Sequence, residues 1–153
     1  MIDDPRVAEE FFQRGLAKAK MQDFIGAITD FTTAIDLQPD YSEAYNNRGV
    51  VKGKLQDYPG SIYDTTMAVE LNPKNARAYY NRGRTKCQIE DFAGAIEDFT
   101  EAIRIIPKFT AAYFNRGVVK LILEMNDSGT EDLYKAESYG EDKAVEVIRK
   151  YCR

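Results

Sequence analysis

Apolar residues in this chain return at helical spacing, and the return itself repeats. Ile96, Phe99, Ala102 and Ile103 form an i, i+3, i+6, i+7 stripe, the inward face of an amphipathic helix. Matching positions recur as Ile28, Ile62 and Ile96, then Ala34, Ala68 and Ala102, then Leu37, Leu71 and Ile105. Upstream of each stripe, a second helical segment carries an aromatic, a basic residue and a glycine, as in Tyr79, Arg82, Gly83 and Lys86. The pattern predicts pairs of helices joined by short turns that open at Asp23-Phe24, Asp57-Tyr58 and Asp91-Phe92.

The punctuation has a fixed period. Gly15, Gly49, Gly83 and Gly117 recur every 34 residues, and Pro39, Pro73 and Pro107 keep the same step. A period of this length marks stacked helical hairpins. Gly83 stands inside a helix despite a cost of roughly 1 kcal/mol relative to alanine, so a partner helix must approach closely there. Ala95 is the small residue expected opposite it. Pro107, after Ile105-Ile106, ends the second helix and turns the chain toward the next hairpin.

The large aromatic, Gly, Ala, aromatic and Pro of the first repeat are Phe11, Gly15, Ala27, Phe31 and Pro39, and those of the third are Tyr79, Gly83, Ala95, Phe99 and Pro107. In this the chain resembles the tetratricopeptide repeat family over roughly residues 8 to 140. The resemblance implies an all-α fold, a right-handed α-α superhelix of antiparallel hairpins forming a single domain over 1–153. Its repeats would span about 8–41, 42–75, 76–109 and 110–140, followed by a capping helix over about 141–151. The second repeat departs modestly, with Ser61 and Thr65 in its Ala and aromatic slots.

Two departures recur in all four copies and suggest a subtype marked by Asn-Arg-Gly. Arg14, Arg48, Arg82 and Arg116 stand where the family often has Leu, and Lys18, Lys52, Lys86 and Lys120 where it often has Tyr. Asp30, Asp64, Asp98 and Asp132 repeat in step on the facing helix. A structural Arg/Asp ladder is therefore expected in preference to a ligand-binding arginine row, because a half-buried guanidinium favours a fixed carboxylate.

The fourth repeat decays in its second half. Met125-Asn126-Asp127 replaces the Asp-aromatic turn, Gly129 takes the Ala slot and Glu141 stands in place of Pro, while Asp132, Leu133 and Ala136 hold the register. Gly140 reads as a helix C-cap, and Lys143 to Tyr151 carries Ala144, Val147, Ile148 and Tyr151 at amphipathic spacing, as a solvating cap requires. At the other end, Asp4-Pro5 reads as a helix start.

Composition narrows the chemistry. With no histidine, Ser-His and Cys-His nucleophile systems and histidine-bearing metal sites are excluded. Cys87 and Cys152 share no metal-ligand spacing, and Gly26, Gly60 and Gly94 each stand alone rather than in a phosphate loop. No enzyme activity, cofactor or metal is expected. A net charge of −4, with dispersed basic residues, argues against a nucleic-acid surface. Residues 1 to 41 sum to −4 and residues 76 to 109 to +1, a weak bias along the array. No apolar run reaches membrane-spanning length and Met1 to Pro5 is no secretory signal, so the chain as it stands is expected in the cytoplasm.

Function is expected in the surface made by the first helices, which in this family lines a concave groove for an extended peptide or a partner helix. The resemblance points to Glu9, Phe12, Gln13 and Leu16 in the first repeat and to Glu43, Asn46, Asn47 and Val50 in the second. It adds Arg77, Tyr80, Asn81 and Arg84 from the third and Ala111, Phe114, Asn115 and Val118 from the fourth. The amide row Gln13, Asn47, Asn81 and Asn115 could grip a peptide main chain, since an amide both donates and accepts; the competing role is to bridge helices within the array. Phe12, Tyr80 and Phe114 would add apolar area. The family's clamp for chaperone C-terminal tails is half absent, with Phe12 and Leu16 in its first two places, then Asn47, Arg77 and Asn81. An adaptor or scaffold binding a protein segment leads; self-assembly into a homo-oligomer and a regulatory module of a larger complex are the alternatives.

Overall fold

The computed structural model describes residues 5–151 and is helical throughout, with nine helices among the described residues. They are α1 (Pro5–Lys20), α2 (Phe24–Leu37), α3 (Ser42–Lys54), α4 (Tyr58–Leu71), α5 (Ala76–Gln88), α6 (Phe92–Ile105), α7 (Thr110–Ile122), α8 (Asn126–Ser138) and α9 (Asp142–Tyr151). The all-α hairpin fold expected from the sequence is the one observed. Pro5 opens α1 as expected, while Asp4 and Cys152 lie outside the described residues. The chain forms two compact units, one ending at Asn81 and one beginning at Arg82, with the boundary inside α5.

Each hairpin turn has the same construction. The residue after the C-cap of α1, Gln22, adopts left-handed backbone at φ 63°, and Gln56, Glu90 and Glu124 do so at 64°, 61° and 60°. The amide of the following residue then returns to the last turn of the first helix, as in Asp23 N to Lys18 O at 2.9 Å and Asp57 N to Lys52 O at 2.9 Å. This is a Schellman closure, which satisfies carbonyls that the helix end leaves without partners. Asp23, Asp57 and Asp91 next serve as N-caps, each accepting from the glycine amide three residues on at 3.0 Å. Met125 occupies the fourth such place and supplies no side-chain cap, yet α8 forms over 13 residues. Gly140 terminates it at φ 97° with Glu141 N bonded to Ala136 O at 2.9 Å, the role the sequence assigned to it.

The glycines mark close approach between the two helices of a hairpin. A Cβ at Gly15 would lie 2.7 Å from the Phe31 ring, and one at Gly83 would lie 2.8 Å from the Phe99 ring. Opposite Gly83, then, the tightest neighbour is Phe99 rather than the expected Ala95, although Ala95 is fully buried. In the second and fourth hairpins, where Thr65 and Leu133 replace the aromatic, the carbonyls of Ser61 and Gly129 come within 3.1 Å and 3.0 Å of such a Cβ. A ring fills the space in two hairpins and backbone fills more of it in the others.

The first unit gathers Phe12, Phe31, Ala34, Ile35 and Val51 into one cluster and Ala68, Val69 and Ala78 into another. The second unit packs Tyr113, Leu133 and Ala136 with Ala144 of α9. No helix among the described residues is long and apolar enough to cross a membrane.

Candidate functional site

The first helices present two sides. One faces the second helix of the same hairpin and carries the recurring basic residues. There Arg14, Arg48, Arg82 and Arg116 each donate through Nε and Nη2 to both oxygens of Asp30, Asp64, Asp98 and Asp132, at 2.6 to 3.0 Å. The four aspartate side chains are 0% to 6% exposed. Forked pairing of this kind is the strong form of charge-assisted hydrogen bond. The ladder expected from the sequence is thus present in all four hairpins.

The lysine row, for which the sequence suggested no partner, belongs to the same device. Lys18, Lys52, Lys86 and Lys120 reach the Oδ2 atoms of the same four aspartates at 2.7 to 2.9 Å. Lys and Arg four residues apart lie on one helix face, so both reach a single carboxylate. A third element also escaped the sequence reading. Thr32 Oγ1 accepts from Arg48 Nη1 at 3.0 Å and Thr100 Oγ1 from Arg116 Nη1 at 2.9 Å, tying one hairpin to the next. Each threonine returns its own proton to the carbonyl one turn back, Ile28 and Ile96 respectively. Among the described residues, no buried side-chain nitrogen or oxygen lacks a hydrogen-bond partner. The Arg14 guanidinium, more than Lys18, holds the Asp30 carboxyl down to about 2 against the opposing effect of burial.

The other side carries the residues expected to bind. In the first unit several of them already have partners. Phe12 is 8% exposed, its ring 5.8 Å from that of Phe31 and 4.9 Å from that of Tyr41, so most of its area is core. Glu9 accepts from the Tyr41 hydroxyl and, at 2.7 Å, from Gln13 Nε2. These two bonds, the tyrosine first, hold the Glu9 carboxyl below its usual range, while burial and the bond to Glu9 push the Tyr41 phenol up. Asn46 is buried and accepts from Asn81 Nδ2 at 3.0 Å, and Asn47 donates to the Glu43 carbonyl at 2.8 Å. The bridging role that competed with ligand contact is therefore filled at Asn81, and Asn47 bonds within its own helix. Leu16, Val50 and Tyr80 are half-buried, and Glu43 and Arg77 are exposed.

In the second unit, Arg84 is exposed, and Ala111, Phe114, Asn115 and Val118 are half-buried. Phe114 and Val118 lean on the α7/α8/α9 core. Beyond them a pocket of about 360 Å³ opens, lined by Val118, Leu121, Ile122, Val147 and Tyr151. Of these the sequence reading named only Val118 as a binding residue; the others look like ordinary helix apolars until α7 and α9 are placed side by side. Cys87 is half-buried and its thiol is pushed up by that burial.

Comparison with known proteins agrees with this architecture. Residues 76–109 match the tetratricopeptide repeat family. In sequence, no curated protein matches the chain. Among solved structures, a crystal structure of MamA is 26% identical, with a TM-score of 0.83 over 92% of this chain and 82% of that one. The first tetratricopeptide-repeat domain of Spaghetti, bound to the HSP90 peptide SRMEEVD, is 21% identical, with a TM-score of 0.77 over 79% of this chain and 96% of that one. YrrB, described as having an unusual peptide-binding site, is 21% identical, with a TM-score of 0.80 over 95% of this chain and 76% of that one. These likenesses show a tetratricopeptide-repeat fold.

Proposed function

We propose that the chain is a protein-interaction module whose first-helix faces hold a short segment or helix of another protein. The observation that carries this reading is the division of labour on the first helices. Their hairpin side is filled by a repeated Arg, Gly, Lys and Asp set, whereas the other side changes identity from Glu9, Phe12 and Leu16 to Arg77, Tyr80 and Arg84 to Ala111, Phe114 and Val118. Positions on that side whose identity the repeat does not fix are where a repeat protein can place specificity. Fold kinship with a peptide-bound domain is consistent with it. We also propose that Asn-Arg-Gly, read with its Lys and Asp, marks a subtype of the repeat.

The chaperone-tail reading is disfavoured. The positions that would carry the clamp's first Lys and Asn hold the buried Phe12 and the half-buried Leu16, neither of which can pair a terminal carboxylate. Capture of partners from the native host by the intact chain, compared with the triple variant Glu43→Ala, Arg77→Ala, Arg84→Ala at exposed positions of these faces, tests the proposal. Loss of specific partners is expected, each interaction being of roughly micromolar affinity. Retention of every partner by the triple variant would move the binding surface away from these faces.

A further inference from the structure

We draw no further inference here: the strongest candidate, the apolar pocket between α7 and α9, belongs to the first-helix face already described, and nothing in the structure shows what covers it.

Discussion

Toward α4, helix α3 offers Arg48, Gly49 and Lys52, and their counterparts return in α1, α5 and α7 without exception. On its other side α3 offers Glu43, Asn47 and Val50, of which only the amide has a counterpart in every copy. The seam within each hairpin fixes geometry: a glycine sets the approach, and one buried carboxylate collects an arginine and a lysine. Because the seam sets the register, the outer side is free to vary, and that freedom is the basis for seeking function there. If the contrast is real, substitutions in the seam should cost stability and those on the outer side should cost binding.

The largest effect is expected where a rung is most buried. Arg48→Leu leaves Asp64, whose side chain is 0% exposed, with Lys52 alone, and should cost about 3 kcal/mol in urea denaturation. Arg14→Leu removes a guanidinium that is 57% exposed and should cost about 1 kcal/mol or less. Equal losses would show that burial does not grade the ladder. Next, Gly15→Ala drives a Cβ to 2.7 Å from the fully buried Phe31 ring and should cost about 2 kcal/mol, against under about 0.5 for Asn47→Ala on the outer side. A neutral Gly15→Ala would mean that the ring can move and that the glycine is not a spacing device.

The smallest effect is one of pH. The Asp30 carboxyl sits at about 2 when folded, below its unfolded value near 4. A depressed acid stabilises the fold fully above the unfolded value and loses that contribution as pH falls through the folded one. Stability should therefore decline between about pH 4 and pH 2, and Arg14→Leu should flatten that decline by raising Asp30 back toward its ordinary range. An unchanged slope in the variant would remove Arg14 as the cause.

The all-α pairing of helices and the Arg/Asp rows were legible in the sequence, because each depends on spacing within one hairpin. What escaped depends on neighbours. Thr32 gains meaning only when Arg48 of the next hairpin reaches it, and Phe12 is drawn into the core by Tyr41, which lies outside its own hairpin. Asn81 reads equally well as a ligand contact or a bridge until Asn46 is seen accepting from it. The α7/α9 pocket was hidden for a related reason: Val147 and Tyr151 read as the apolar stripe of a single helix until Val118, Leu121 and Ile122 of α7 are set beside them.

The polar stitches have a consequence for how the chain folds. Arg14 to Asp30 spans 16 residues within a hairpin, and Thr32 to Arg48 spans 16 between hairpins. Local contacts of this kind are what speed the folding of helical proteins. No strong interaction of this set waits for distant parts of the chain to meet, so any hairpin can nucleate structure and hand it to the next. As the chain emerges during synthesis, each rung can close as soon as the second helix of its hairpin is available, long before the last repeat is made.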